Sequence, residues 1–392
     1  MHKSYFNNSF SETIFRTKYA QGPDDTWGAL AERVVDHVCG NWGKHNALMS
    51  KDDRQQLTQY IKEFKFIPGG RYLWYAGRKN QYFNNCYLLR AEHDTREEWA
   101  DLTQRAVSCL MTGGGIGIDY SILRPSGKPL SRTGGLSSGP IPLMQMINEV
   151  GRGVMQGGSR RSAIYASLNW QHEDIYDFLK AKNWTPQIRN IKTEDFNFPA
   201  PLDMTNISVN YDDAWGFDPN NPVFLENCKQ ALKTGEPGFS FNFGDKQNET
   251  LRNACTEVTS EDDSDVCNLG SVNISNIISL EEFKSVITLA TKFLVCGTLR
   301  ADLPYEKVYK VREKNRRLGL GLMGIHSWLL QRGEGYVVTP ELHTWLKVYK
   351  DESERAANEH CKHLFISQPL AYRAIAPTGT IGILAKQNLA VH

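Results

Sequence analysis

Three side chains that could act together chemically stand at alternate positions in residues 252–258. They are the amide of Asn253, the thiol of Cys255 and the carboxyl group of Glu257. In an extended segment successive side chains alternate between two faces, so these three would share one face. A second thiol, Cys267, follows twelve residues after Cys255. This grouping predicts a reactive site, although the spacing alone does not name the reaction.

The composition narrows the classes of protein to which the chain can belong. Its 392 residues suffice for one large domain or two medium ones. The 45 basic and 44 acidic residues nearly balance, which gives no support to nonspecific nucleic-acid binding or a membrane-surface role. The first ten residues do not resemble a signal peptide, and charges interrupt the longest apolar stretches. We therefore expect a cytoplasmic protein (in the host cytoplasm if the chain is viral) without membrane segments.

The eight cysteines form neither a C-x-x-C pair nor a cluster with zinc-finger spacing, so no metal site is expected. In a reducing compartment cysteines are more often buried apolar residues or catalytic groups than disulfides. Five are interpreted as packing residues: Cys39, Cys109, Cys228, Cys296 and Cys361. Three stand in polar surroundings with asparagine or glycine neighbours, which favours reactivity: Cys86, Cys255 and Cys267.

The elements that must position these groups alternate between helix and strand. Apolar periodicity and capping signals predict helices within 24–66, 95–110, 140–154, 285–297 and 345–360. Short apolar or alternating runs predict strands at 72–76, 86–89, 116–120, 162–168, 207–209 and 239–241. Such alternation favours an α/β domain, with a barrel as one form of it, packed against a helical N-terminal part.

Three glycine-bearing segments have both a functional and an ordinary interpretation. Residues 319–324 match G-x-G-x-x-G, but the charged run 314–317 precedes them instead of a buried strand, so close backbone packing is favoured over dinucleotide binding. Residues 156–162 join a glycine turn to two guanidinium groups, which suits a phosphate site and a solvated loop equally. Residues 376–381 supply two threonine hydroxyls that could hold a phosphate, although a plain turn is favoured for the segment alone.

Taken in order, these segments resemble the catalytic subunit of a ribonucleotide reductase between about Phe66 and Ala385. The motifs that carry the resemblance are Pro68-Gly69-Gly70-Arg71-Tyr72-Leu73-Trp74, Asn84-Asn85-Cys86, Gly113-Gly114-Gly115-Ile116-Gly117, the loop 157–162, Asn253-x-Cys255-x-Glu257, Cys267-Asn268-Leu269-Gly270-Ser271, Asn315-Arg316-Arg317-Leu318-Gly319 and Pro377-Thr378-Gly379-Thr380. The family fold is a ten-stranded α/β barrel of two five-stranded halves. The resemblance thus implies a helical region at 1–65, a barrel at 66–385 and a non-matching tail at 386–392.

The resemblance also implies roles for five residues in reducing ribonucleotides to deoxyribonucleotides for DNA synthesis. Cys255 would lie at the tip of a finger loop and, as a thiyl radical, abstract the ribose 3′ hydrogen. Glu257 would be the general base on the 3′ hydroxyl, and Asn253 would orient the sugar or that carboxylate. Cys86 and Cys267 would supply two electrons and close to a disulfide, which needs Cα atoms within about 7 Å.

Nucleotide binding follows from the same resemblance. A di- or triphosphate substrate would be held by Asn85, Gly115, Pro377, Thr378, Gly379, Thr380 and Ile381. A deoxynucleotide or ATP effector would act through a specificity site and loop containing Asp119, Arg124, Gly157, Gly158, Ser159, Arg160 and Arg161.

The radical source and the partners are left open between two types of enzyme. The short spacing from Cys255 to Cys267 resembles enzymes that use adenosylcobalamin, which we favour. The alternative is a small viral member that receives its radical from a metal-containing small subunit. A thioredoxin-like external dithiol would recycle the enzyme, and a homodimer is expected. No ATP-cone domain is recognisable, so inhibition by dATP through such a domain is not expected.

The last seven residues differ from the family pattern, and two other functions compete with the reductase interpretation. Residues 386–392 do not match the family's final segments, which predicts dependence on a complementing C-terminal piece. The first competing function is a truncated or non-catalytic nucleotide-binding paralogue. The second is an unrelated thiol oxidoreductase that uses Cys255 and Cys267 as a local redox pair.

Overall fold

The computed structural model describes residues 5–6, 8–41, 46–154 and 162–385. The chain divides into two compact units, of which unit 1 contains residues 1–85 and 266–392 and unit 2 contains residues 86–265. The boundaries expected from the sequence, 1–65, 66–385 and 386–392, stay a prediction, and residues 386–392 lie outside the described ranges.

Helices and strands alternate along much of the described chain. The strands are β1 (Phe66–Pro68), β2 (Cys86–Arg90), β3 (Gly115–Asp119), β4 (Ile164–Asn169), β5 (Thr205–Tyr211), β6 (Gly238–Phe241), β7 (Leu251–Arg252), β8 (Thr259–Ser260), β9 (Asp265–Asn273) and β10 (Leu318–Met323). The helices are α1 (Ser9–Lys18), α2 (Trp27–Cys39), α3 (Lys51–Lys62), α4 (Gly70–Tyr75), α5 (Arg96–Met111), α6 (Ile141–Gly153), α7 (Ile175–Lys180), α8 (Pro186–Glu194), α9 (Pro222–Thr234), α10 (Leu280–Arg300), α11 (Glu306–Asn315), α12 (Ile325–Leu330), α13 (Pro340–His363) and α14 (Gly379–Leu384).

Unit 2 is built on a parallel sheet with the strand order β2-β3-β4-β5-β6. Helices connect successive strands, as parallel pairing requires. Strands β3 and β4 are short runs that are almost wholly buried, as is typical of strands inside a parallel sheet. The predicted strands at 86–89, 116–120, 162–168, 207–209 and 239–241 are therefore confirmed, and so is the α/β class.

In unit 1, β9 pairs with β1 in the antiparallel sense and with β10 in the parallel sense. The 21-residue helix α10 is buried around most of its circumference and contributes Phe283, Phe293 and Leu294 to the core of this unit. Such all-round burial explains why its sequence is apolar on more than one face. The N-terminal helices α1 to α3 supply further residues of the same core, among them Trp27.

Two sequence interpretations in unit 1 have different outcomes. The strand predicted at 72–76 is wrong, because residues 70–75 form helix α4; a short apolar run does not by itself separate strand from helix. The packing interpretation of 319–324 is confirmed, since Gly319 and Gly321 lie in the buried strand β10. A Cβ atom on Gly319 would lie 3.0 Å from Cys267 Sγ and closer still to the Leu269 side chain, so a larger residue would force its neighbours to move.

Within the described ranges, no helix combines the length and the apolarity that a membrane crossing requires.

Candidate active site

Cys255 lies at the tip of a β-hairpin in unit 2. Strands β7 and β8 pair antiparallel through Leu251 with Ser260 and Arg252 with Thr259. Between them the Asn253 N–H donates to Val258 O at 3.2 Å. The expectation of an extended segment at 253–257 is wrong, because the chain reverses direction there. The side chains are brought together by this turn instead of by strand alternation.

The hairpin tip has a tight backbone. The Thr256 N–H donates to Asn253 O at 3.0 Å, and Thr256 itself adopts the left-handed conformation with φ 69°. Such a conformation is costly for a β-branched residue and persists only where the surroundings enforce it. The turn leaves Cys255 exposed while Asn253 is fully buried.

The Asn253 side chain stabilises the hairpin by a hydrogen bond across it. Its Oδ1 accepts a hydrogen bond from the Val258 N–H at 3.0 Å. Its Nδ2 is buried and finds no hydrogen-bond acceptor among the described residues. Because an unsatisfied buried donor costs free energy, this amide is prepared to donate to a group that enters the site.

Glu257 is a buried carboxyl group with both of its oxygens unsatisfied among the described residues. Burial raises the pKa of Glu257 above its ordinary value, and the neighbouring Asn253 side chain opposes part of that rise. A carboxyl group of this kind can accept a proton at a pH nearer to neutrality than an exposed one. That property suits a general base.

Cys86 belongs to the same cluster. It is the first residue of β2 and is buried. Burial, together with the charges of Glu257 and Cys255, raises the pKa of Cys86 to about 12, and the nearby Asn253 side chain and Ala254 backbone oppose part of that rise. Unit 2 therefore brings together four of the predicted catalytic residues, and the thiol of Cys86 keeps its proton at neutral pH.

Two glycines of β3 let the hairpin lie directly on the sheet. A Cβ atom on Gly117 would be 2.8 Å from Arg252 C and closer still to Arg252 O. A Cβ atom on Gly115 would be 2.8 Å from the Ala254 Cβ. Gly115 was predicted to bind substrate, which stays a prediction. The structure gives both glycines a further function, which is to admit the hairpin.

An arginine that no sequence motif singled out anchors the base of the hairpin. Arg252 donates to Ser240 Oγ through Nε, and through Nη2 to Phe241 O at 2.9 Å and Asn242 Oδ1 at 3.1 Å. These acceptors lie on or just after β6. The sequence did not indicate the bonds between Arg252 and residues 240–242, because an arginine close to a reactive cysteine is as easily interpreted as a substrate-binding residue as a structural one.

Cys267 and Asn85 lie in unit 1. Cys267 is buried in β9, and its Sγ donates to Asn268 O at 3.3 Å. The Asn85 N–H donates to Cys267 O at 3.3 Å, and Asn85 Oδ1 is buried without a donor among the described residues. The two residues are thus adjacent, as a shared site requires. The pairing of Cys267 with Cys86 stays a prediction, because the two thiols belong to different units.

The predicted phosphate-binding segment is a turn that leads into α14, also in unit 1. Thr378 is buried and adopts a left-handed conformation with φ 52°. Its carbonyl oxygen accepts a hydrogen bond from the Gly382 N–H at 2.7 Å. Pro377 and Gly379 are exposed, whereas Ile381 is buried. The assignment of Pro377 to Ile381 to substrate binding stays a prediction.

The two described residues of the predicted effector site differ in their surroundings. Asp119 is buried and accepts hydrogen bonds from the Ser121 N–H at 3.1 Å and from Thr250 Oγ1 at 2.6 Å. Burial raises the pKa of Asp119. Arg124 pairs with Asp94 and lines a cavity of about 500 Å³ in unit 2, to which Asp119 does not contribute. The predicted effector residues 157–161 lie outside the described residues.

The thiols of Cys86 and Cys255 and the carboxyl group of Glu257 form a cluster on an α/β fold that would suit a thiol-dependent enzyme. The profile of the family described as "Ribonucleotide reductase, barrel domain" matches residues 84–199 and 223–342. The chain belongs to the ribonucleotide reductase family. This membership confirms the resemblance, the barrel class of fold and the oxidoreductase class of enzyme. It contradicts the interpretation as an unrelated thiol oxidoreductase.

Curated relatives cover nearly the whole chain. It is 25% identical to the "Putative adenosylcobalamin-dependent ribonucleoside-triphosphate reductase" of Mycobacterium phage D29, over 98% of the chain and 73% of the relative. It is 25% identical to the "Vitamin B12-dependent ribonucleoside-diphosphate reductase" of Mycobacterium tuberculosis (strain CDC 1551 / Oshkosh), over 95% of the chain and 60% of the relative. The protein of that name from Thermoplasma acidophilum is 27% identical over 84% of the chain. The chain spans 48% of that relative's length.

Proposed function

We propose that the chain reduces ribonucleotides to 2′-deoxyribonucleotides, with the sulfur of Cys255 as the atom that takes the ribose 3′ hydrogen. The observation that carries the proposal is the cluster in unit 2, where Cys255 is exposed, Asn253 and Cys86 are buried, and the carboxyl oxygens of Glu257 are shielded from solvent. A sulfur radical suits this step because its S–H bond is close in strength to the activated C–H bond, so that the transfer is reversible.

Glu257 acts as the base on the 3′ hydroxyl in this proposal. Its unsatisfied oxygens need a donor, and a sugar hydroxyl beside them would supply one. Its raised pKa brings proton transfer closer to neutral pH. The free Nδ2 hydrogens of Asn253 would orient the sugar or the carboxylate.

Cys86 and Cys267 supply the two electrons and two protons that remove the 2′ hydroxyl as water. Both sulfur atoms are then joined in a disulfide, so that two thiols are oxidised for each ribose reduced. The pKa of Cys86, raised to about 12, supports its part, because the sulfur enters the reaction with its hydrogen attached. A thioredoxin-like dithiol would reduce the disulfide after each turnover.

Adenosylcobalamin is the proposed radical source, and the names of the phage and mycobacterial relatives support it. When bound, adenosylcobalamin would supply radical chemistry, and Cys255 is the residue whose thiol hydrogen would be removed. The exposure of Cys255 at the hairpin tip fits such a reagent, since a buried sulfur would be out of its reach. A metal-containing small subunit remains the alternative partner. The relatives' names include both di- and triphosphates, so both are candidate substrates.

The Arg124 cavity is the proposed place of the regulatory nucleotide. Arg96, Arg124 and Arg132 contribute to its wall together with Trp99, and Asp94 and Glu97 of the same wall pair with these arginines. Guanidinium groups bind phosphate through paired hydrogen bonds, and an indole can stack on a base. Asp119 and the loop 157–161 would complete this regulation, and a homodimer would be the active assembly.

Anaerobic incubation of the purified chain with CDP or CTP, adenosylcobalamin and dithiothreitol tests the activity, with and without a C-terminal fragment of a relative. A parallel reaction replaces the cobalamin with a candidate small subunit. Deoxycytidine product from the wild-type chain and from the control Cys228→Ser is expected. Cys255→Ser should give no product while it still binds the nucleotide. Undiminished turnover by Cys255→Ser would refute the proposal.

A further inference from the structure

A buried ion pair in unit 2 joins helix α5 to the turn that follows the hairpin. Arg105 Nη1 lies 2.8 Å from Asp263 Oδ1 and 2.7 Å from Asp263 Oδ2. The exposed fraction of the side chain is 9% for Arg105 and 2% for Asp263. Charges removed from water to this extent are costly unless they are paired and hydrogen-bonded, so each residue depends on the other.

The same carboxylate fastens the turn to strand β2. Asp263 Oδ1 also accepts a hydrogen bond from the Arg90 N–H at 2.7 Å. The next residue, Ser264, donates its N–H to Leu88 O at 2.8 Å. These two bonds attach residues 263–264 to β2, whose first residue is Cys86. The turn starts directly after β8, the second strand of the hairpin.

Arg105 is itself held at several points. Its Nε donates to Asp101 Oδ2 at 2.6 Å, and its Nη2 donates to Arg90 O at 3.2 Å. The guanidinium plane thus contacts the helix, strand β2 and the turn at once. Lysine carries the same charge but only one nitrogen, so it cannot reproduce this set of directed bonds.

We propose that Arg105 and Asp263 are positioning residues that hold the Cys255 hairpin in register with the strand that carries Cys86. The hairpin is fixed at its first strand by Arg252 and at its exit by Asp263. Without the bonds of Asp263, the hairpin tip could rotate about the attachment at Arg252. The kinetic consequence rests on the proposed function, whereas the effect on the hairpin itself does not.

A second buried carboxylate in unit 2 provides a matched control. The Asp203 side chain is 1% exposed and pairs with Arg152 and with Lys192, whose Nζ lies 2.8 Å from Oδ2. Asn148 Nδ2 donates to Asp203 Oδ1 at 3.2 Å. These partners lie on α6 and α8, away from the hairpin. Asp203→Asn therefore breaks a comparable ion pair without touching the residues on either side of Cys255.

Native-state hydrogen exchange of the full chain measures the hairpin directly, through peptides that contain residues 251–260. In Asp263→Asn the amides of Asn253 and Val258 should exchange about tenfold faster than in the wild type, since they close the tip. Asp203→Asn should leave them unchanged. Arg105→Lys, which keeps the charge, should give a smaller acceleration and serves as the second variant if Asp263→Asn does not fold.

Steady-state kinetics provide the functional readout. A displacement of the tip by about 1 Å should lower kcat about 100-fold in Asp263→Asn. KM should change less than threefold, because the binding residues proposed in unit 1 are untouched. Asp203→Asn should retain the kcat of the wild type.

Equal hairpin exchange in Asp263→Asn, Asp203→Asn and the wild type would overturn the inference, as would equal acceleration in both variants. If Asp263→Asn does not fold, wild-type exchange in Arg105→Lys would overturn it. Failure of the proposed function is a separate result, recognised when the wild-type chain and the Asp203→Asn control both lack turnover while the exchange pattern holds.

Discussion

Replacing Gly117 by alanine should displace the hairpin that carries Cys255. The new methyl carbon would be 2.8 Å from Arg252 C and closer still to Arg252 O, whereas ordinary carbon contacts begin near about 3.5 Å. Both neighbours are backbone atoms, so no side chain can rotate away. The hairpin must therefore move away from β3 by at least about 1 Å.

The size of the effect follows from that displacement. Overpacking of this kind lowers the free energy of unfolding by about 1–3 kcal/mol. A misplacement of about 1 Å at a reacting atom lowers the rate about 100-fold, which corresponds to about 2.7 kcal/mol in the barrier. We therefore expect Gly117→Ala to lose most turnover while it remains folded at room temperature.

Three measurements on one preparation separate these effects. Urea unfolding gives the stability, nucleotide reduction gives the rate, and the alkylation rate of Cys255 by iodoacetamide reports the surroundings of the tip without any need for activity. Gly153→Ala is the matched control, because a Cβ atom there meets nothing within 4 Å. It should leave turnover and alkylation unchanged. If Gly117→Ala equals the wild type in alkylation and turnover, the contact between Gly117 and the Arg252 backbone does not control the position of Cys255, and the prediction is wrong.

Three further predictions concern Glu257, Cys86 and Gly319. Because burial raises the pKa of Glu257, ionisation of this carboxyl group destabilises the folded state as pH rises through that pKa. Glu257→Gln should therefore unfold at a higher urea concentration than the wild type at pH 7 and lose this advantage below about pH 4. The same variant should have no reductase activity. The pKa of Cys86, raised to about 12, leaves about one thiolate in 10⁴ at pH 8, so mass spectrometry should find Cys86 unmodified under conditions that alkylate the exposed Cys255 completely. Gly319→Ala, whose Cβ would lie 3.0 Å from Cys267 Sγ, should lower the free energy of unfolding by about 1–3 kcal/mol in urea titrations, and an unchanged midpoint would contradict the packing described for β10.

The α/β class and the reactive cluster could be predicted from the sequence because their signals are local. Buried parallel strands are short apolar runs between helical segments, and β3 and β4 have this form. Asn253, Cys255 and Glu257 are close in the chain, so that any compact local conformation would bring them together. The predicted conformation was nevertheless wrong, because alternate spacing fits both an extended strand and a tight hairpin.

The supports of the site could not be predicted, because their partners are distant in the chain. Arg105 and Asp263 are separated by 158 positions, and neither stands in a motif that indicates a buried charge. The closeness of Gly117 to the hairpin likewise depends on how β7 crosses β3. The helix at 70–75 was mistaken for a strand for a related reason, since its conformation is set by packing partners such as Phe83 and Phe293.

The bonds described for the hairpin involve main-chain atoms and three side chains. Arg252, the Asn253 amide and the Asp263 carboxylate all act at its base or flanks. These three groups would stay in place if the reacting atom at the tip were exchanged. Selenium in place of sulfur at this position would give an element-specific X-ray absorption reporter, able to follow the oxidation state of the tip during single turnovers.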